Sequence, residues 1–242
     1  ILLFISSPAP YLMILATLLS HYFNISFNYA LIFGIIFSIF YIYTSGLKAV
    51  IKTDKIQLFI MYLGFFLIFT YLLLNFGGIN FLIQNAPEQN LKITGNLPIG
   101  YILSWLVVAM ITFIDPSIYQ RSYSSQNKAI IKKGMLISII LWFIFDFLSI
   151  SIGIYASALI DTDTLNNVNP YLYLADNFLP SIMRDLFFIA LLCIVMSTID
   201  SFFLVSSMLI TNDLLDDKNN LKYTKIYLIA IGILSYFISI NF

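Results

Sequence analysis

The sequence predicts an all-α protein, a polytopic bundle of membrane-spanning helices. Three observations predict it. Hydrophobic residues fill 60% of the 242 positions and charged residues only 10%, against roughly 25% charged in soluble domains. Mean hydropathy is +0.94, which is more apolar surface than a soluble core can hide. The apolar residues also arrive in blocks of roughly 20, the length that crosses the hydrocarbon of a bilayer.

Seven blocks qualify as spans, at about 1–23, 28–46, 56–75, 98–119, 134–160, 182–212 and 223–242. The sixth is long enough to tilt or to run on into an interfacial helix. Polar punctuation separates them: Gly77-Gly78 with the run Gln84–Pro98, then Asp161–Pro170, then Asn212–Lys222. Apolar residues run to both ends, Ile1–Ile5 and Ile238–Phe242, as if each end cut through a helix. The chain therefore reads as one transmembrane domain over residues 1–242, a segment of a longer protein, with no visible signal peptide.

Basic residues orient the spans. Lys48, Lys52 and Lys55 follow the second span, Arg121, Lys128, Lys132 and Lys133 the fourth, and Lys218, Lys222 and Lys225 the sixth. Only Lys92 and Arg184 lie in the alternate loops. The positive-inside rule then makes loops 47–55, 120–133 and 213–225 cytoplasmic and turns Glu88, Asp161 and Asp163 outward.

Other features narrow the chemistry. Zero formal net charge implies no general affinity for nucleic acid. The single cysteine, Cys193, rules out an intrachain disulfide or a Cys-based metal cluster and reads as a small core residue. There is no Gly-rich phosphate loop and no zinc-binding His spacing; His21 stands alone near a span end. Most of the 16 tyrosines and 23 phenylalanines are packing or lipid-facing residues.

The polar residues inside the spans are the candidate site. Ser197, Thr198, Asp200 and Ser201 interrupt an otherwise hydrocarbon stretch. Polar groups there are costly unless they bind something or one another. Ser197, Thr198 and Ser201 fall at i, i+1 and i+4, near one face of a helix. Two readings stay open: hydroxyls at a packed helix interface, or oxygen ligands for a hard cation such as sodium. Four acids accompany them. Asp54 stands at a span boundary between Lys52 and Lys55 and reads as an interfacial charge paired with a neighbouring lysine. Asp115 precedes Pro116, which breaks or kinks the helix, and reads as tying up the backbone donors freed there. Asp146 reads as a buried acid pairing with a basic group on a span outside this chain, and Asp200 as an acid that hydrogen-bonds a neighbouring helix.

Several segments together resemble the sodium:solute symporter family, whose members carry sugars, proline, pantothenate and sialic acid. Tyr43-Thr44-Ser45-Gly46-Leu47-Lys48-Ala49-Val50-Ile51-Lys52-Thr53-Asp54-Lys55-Ile56-Gln57 is similar to the family's cytoplasmic segment, with Ser45 where glycine is usual. Gln120-Arg121 matches the pair that closes a later span, and Gly134 opens the next. Met196-Ser197-Thr198-Ile199-Asp200-Ser201 resembles the family's M-S-T/S-x-x-S, followed by Thr211-Asn212-Asp213.

The resemblance implies a LeuT-like inverted-repeat transporter fold, present in part as about seven spans, with ion and solute near the midplane. It implies sodium as the coupling ion, no other cofactor, a small organic solute and the lipid bilayer as partners, and a bacterial-type inner or plasma membrane. Ser197 and Thr198 would bind sodium by their hydroxyls and Ile194 by its backbone carbonyl. The rest of that shell would come from the family's first core helix, which lies ahead of this chain. Asp54 and Ser201 would line the ion path. Members with a second sodium carry serine where this chain has Ile194, which favours one-sodium coupling. The span ending at Gln120-Arg121 would line the solute cavity with Asp115 and Tyr119, and Trp142 would face it. Sugar carriers have Asn-Gln at Asp115-Pro116 and a lysine near Trp142, so a sugar site is not implied.

Two rival readings exist. A sensor or scaffold on the same fold would share every one of these motifs. An intramembrane aspartyl protease would pair Asp146 with Asp200, although neither stands in a Gly-x-Gly-Asp context.

Overall fold

The computed structural model describes residues 5–161, 164, 169–215 and 221–241. The start of the first predicted span, Asp163 and Lys218 lie outside them. The described residues are helical, with no strand among them. In chain order the helices are α1 (Pro8–Phe23), α2 (Phe27–Ser45), α3 (Leu47–Asn75), α4 (Gly78–Asn85), α5 (Glu88–Leu91), α6 (Ile99–Ala109), α7 (Pro116–Tyr123), α8 (Lys128–Leu159), α9 (Pro170–Phe178), α10 (Ser181–Leu209) and α11 (Leu221–Asn241). A 3₁₀ segment, Met110–Ile114, joins α6 to α7, and a π-helical turn, Ile210–Leu214, ends α10.

Among the described residues six segments are long and apolar enough to cross a bilayer: Phe27–Thr44, Gly46–Asn75, Ile99–Tyr123, Lys128–Leu159, Ser181–Asp213 and Leu221–Asn241. They correspond to the last six predicted spans. The seventh expectation, the span over 1–23, corresponds in the described residues to α1, a 16-residue helix shorter than those six.

Local chemistry sets the boundaries. Proline opens α1, α7 and α9, where its missing amide costs nothing. Asp115, Asn127 and Asn169 cap α7, α8 and α9 with their side chains. Gly46 separates α2 from α3 at φ +55, a left-handed conformation that L side chains resist, while its amide still donates to the Ile42 carbonyl at 2.7 Å.

The predicted cytoplasmic loops are shorter than expected. Residues 47–55 form the first turns of α3 and residues 128–133 those of α8, so Gly134 lies inside a helix rather than opening one. Lysine, glutamine and alanine are good helix formers, and a span has no reason to stop at the edge of the hydrocarbon. Part of the predicted loop 84–98 is also helical, as α5 and the end of α4, and α9 follows the loop that ends at Pro170.

The chain forms two compact units: Ile1–Met61 with Phe188–Phe242, and Tyr62–Phe187. In the first, α1 packs on α2, and α11 packs on both. The approach is close. A Cβ on Gly34 would stand 2.8 Å from Leu15 Cδ2, and Ser239 donates its hydroxyl to the Ala9 carbonyl at 3.2 Å. The Tyr22 ring stacks on Phe188, centroids 3.9 Å apart. In the second unit α4 and α9 pack on α8. Its core is aromatic: Phe65 is buried against Phe145 at 4.9 Å and Phe187 at 5.2 Å. Tyr171 joins this cluster at 5.9 Å from Phe187 and donates its hydroxyl to the Ser149 carbonyl.

Candidate functional site

The polar interruption of α10 lies in the first unit. Ser197 donates its hydroxyl to the Ile194 carbonyl at 3.0 Å, and Thr198 donates to the same carbonyl at 3.1 Å. Ser201, one turn later, donates to the Ser197 carbonyl at 3.0 Å. Serine and threonine in helices commonly bond the carbonyl three or four residues back. The consequence here is a convergence: two hydroxyl oxygens and one carbonyl oxygen, all half-buried residues, within one turn of helix. A hydroxyl uses one proton as donor and keeps two lone pairs. Rotation about its C–O bond moves the proton and leaves the oxygen in place, so the group can accept a cation without moving its heavy atoms.

Below this turn the polarity deepens. Asp200 is fully buried, as are Ser206, Ser207 and Thr211. Ser207 donates to the Leu204 carbonyl and Thr211 to the Ser207 carbonyl. Asp200 is bonded across the unit: the Tyr41 hydroxyl of α2 donates to its Oδ2. Its Oδ1 has no hydrogen-bond partner among the described residues. Asp54, half-buried in the second turn of α3, lies within electrostatic reach of both Asp200 and Tyr41. Three helices therefore bring two carboxyls and a phenol together next to the hydroxyl turn. The sequence reading anticipated Asp54 and the hydroxyls. It missed Tyr41, which is 159 positions from its partner and looks like any other span tyrosine. The one available signal was Asp200 itself, since a carboxyl inside a span demands a partner.

The predicted cavity residues belong to the second unit. Asp115 has extended backbone, φ −70 and ψ 116, and its Oδ1 accepts from the Ser117 amide at 2.7 Å. It thus ties up a donor freed by the helix break, one of the two roles expected of it. Tyr119 closes the same motif by donating its hydroxyl to the Phe113 carbonyl at 2.5 Å. Trp142 stands on α8, 66% exposed. Asp146 is exposed on α8, which turns only part of its circumference toward its own unit. Among the described residues no group of three or more His, Cys, Asp or Glu is arranged to hold a metal. Cys193 is buried, as its reading as a core residue required.

Six membrane-capable helices and buried polar groups within their packing define an integral membrane protein of the helix-bundle class. The chain belongs to the sodium:solute symporter family, whose sequence profile matches residues 2–237. No curated protein and no solved structure matches it. The family consists of transporters, not enzymes, and membership points to sodium-coupled movement of a solute across a membrane. The protease reading of Asp146 and Asp200 falls with that assignment.

Proposed function

We propose that the protein couples inward sodium movement to uptake of a small organic solute by alternating access, with sodium held at Ser197, Thr198 and the Ile194 carbonyl. The observation that carries this reading is the convergence of both hydroxyls on one carbonyl, at 3.0 and 3.1 Å. Sodium is a hard cation and takes oxygen ligands. Oxygens about 3 Å apart suit a shell with ligand distances of about 2.4 Å, those of a cation of calcium's size. Ion binding would turn the two hydroxyl protons off the Ile194 carbonyl and leave three oxygens directed at the ion. Further ligands would complete the shell from a second helix, so that sodium bridges the two.

A bridging ion biases a conformational equilibrium only through its different affinity for the two states. Sodium would favour the arrangement in which the bridged helices stay together, open to the outside. Inward opening would part them, weaken the site and release sodium past Ser201 and Asp54 toward the side of the lysine-rich segments 47–55, 120–133 and 213–225. That side would be the cytoplasm of a bacterial-type inner or plasma membrane. Asp115, Tyr119 and Trp142 would face the solute cavity, where the acid suits a solute bearing a cationic or amino group. One sodium would accompany each solute, and no further cofactor is required.

The test is sodium-dependent uptake by the whole protein in proteoliposomes, across a panel of amino acids, organic acids and vitamins. Ser197→Ala and Thr198→Ala are each expected to raise the sodium concentration for half-maximal uptake at least tenfold. Uptake indifferent to sodium and to both substitutions would overturn the reading.

A further inference from the structure

We infer that Tyr41 is a positioning residue for the sodium oxygens: its hydroxyl, held on Asp200, sets the rotation of α10 and thereby the direction in which Ser197 and Thr198 present theirs. The inference rests on the sodium reading above and adds a residue to it.

The hydroxyls of Ser197 and Thr198 bond the backbone of their own helix. Those bonds hold however α10 is turned relative to α2. The Tyr41–Asp200 bond does not, because it joins α2 to α10. Asp200 follows Ser197 by three residues and Thr198 by two. At 3.6 residues per turn its side chain leaves the helix about 60° from that of Ser197. A bond at that angle, one turn from the ion face, resists rotation of α10 about its own axis. Its neighbours Ile199 and Phe203 are apolar and fully buried, and the one other polar side chain of the turn, Ser201, bonds the backbone of its own helix. Apolar packing inside a membrane is weakly directional, because lipid tails are as apolar as the neighbouring side chains. A hydrogen bond between two helices is directional, since it weakens steeply as its angle departs from linear.

The groups around Asp200 suit a donor in this place. Asp54 on α3 is a second acid within electrostatic reach. On α2, Tyr41 supplies the proton. Ser38, one turn before Tyr41, is buried. With two acids nearby, a neutral phenol anchors α10 through one Asp200 oxygen without adding charge beside the ion face.

The experiment separates the hydrogen bond from the charge. Sodium titrations of uptake, and of sodium-induced thermal stabilisation, are carried out on the whole protein with Tyr41→Phe, Asp200→Asn, Asp200→Leu and the double variant Tyr41→Phe/Asp200→Asn. Tyr41→Phe removes the donor. Asp200→Asn removes the charge but keeps an oxygen for Tyr41. Asp200→Leu breaks the bond from the other side, so the inference does not depend on one variant folding. Interhelical polar bonds in membranes are worth about 3- to 10-fold in an equilibrium. Tyr41→Phe and Asp200→Leu should each raise the half-saturating sodium concentration by about that factor, with the maximal rate and the solute KM at saturating sodium held near wild type. Asp200→Asn should change it by less than about 2-fold, and the double variant should be no worse than Tyr41→Phe. An unchanged sodium requirement in Tyr41→Phe overturns the inference, as does an Asp200→Asn effect equal to or larger than that of Tyr41→Phe. If Ser197→Ala and Thr198→Ala abolish sodium dependence while Tyr41→Phe does nothing, only the role of Tyr41 fails. If uptake ignores sodium altogether, the sodium reading fails first.

Discussion

Gly232 lies hard against Ile39: a Cβ built on the glycine would stand 2.4 Å from Ile39 Cδ1 and 3.3 Å from Ile35 Cγ2. α11 and α2 can approach this closely because one of them has no side chain at the crossing, as is common where membrane helices pack. Ser239, two turns further along α11, then reaches the α1 backbone. One glycine thus helps set how three helices of the first unit meet.

Overpacking at this point should be costly. Gly232→Leu is expected to destabilise the protein by about 1–3 kcal/mol, read as a lower midpoint of thermal unfolding in detergent. Gly232→Ala should cost less, because Ile39 Cδ1 is the tip of a flexible side chain. Adding Ile39→Ala should recover part of the Gly232→Ala loss. Equal midpoints for the alanine variant with and without that relief would contradict the contact.

Asp115 offers a separation of two roles. Its carboxylate caps α7 through the Ser117 amide, and an asparagine side chain can accept the same bond. Asp115→Ala should cost about 1 kcal/mol of stability, while Asp115→Asn should melt like the wild type. If the acid also meets a cationic solute, Asp115→Asn will raise the solute KM with stability intact. A normal KM in Asp115→Asn leaves Asp115 with the cap alone.

The second unit should depend on its aromatic cluster. Phe65 is buried and touches the rings of Phe145 and Phe187. Removing a buried phenylalanine side chain costs about 3–5 kcal/mol. Phe65→Ala should therefore lower expression and the unfolding midpoint, and Phe65→Leu should do so by less than half as much. The exposed Trp142 serves as the control: Trp142→Ala should leave the midpoint within about 0.5 kcal/mol of wild type.

Orientation is open to direct labelling. Cys193 is buried, so the native chain should give little background with a membrane-impermeant maleimide. Lys128→Cys and Lys92→Cys are both exposed positions, and the positive-inside rule puts them on opposite sides. Lys92→Cys in intact cells should label from outside, and Lys128→Cys only after the membrane is opened. The reverse pattern would invert the topology.

Much of this molecule was legible before any coordinates. Six of the seven predicted spans correspond to membrane-capable helices, because a bilayer imposes one length and one composition on whatever crosses it. The family motifs are local strings, and Ser197, Thr198 and Ile194 meet because a helix brings residues three and four apart together. Asp115 before Pro116 announced a break for the same local reason. Helix ends beyond the hydrocarbon were less legible. Lys48–Lys55 and Lys128–Lys133 are polar enough to suggest loops, yet lysine continues a helix readily.

By itself the sequence determined the class of the protein, the place of six long helices, and the identity of the hydroxyl face on α10. Each depends on composition or on neighbours within one helical turn. Tertiary structure alone decided that Asp200 meets Tyr41, that Asp54 approaches them both, and that Asp146, an acid with the same span-interior look as Asp200, lies exposed. Those outcomes depend on how each helix is rotated against the next. Rotation is set by contacts between residues far apart in the chain, such as Gly232 on Ile39, which no local pattern encodes.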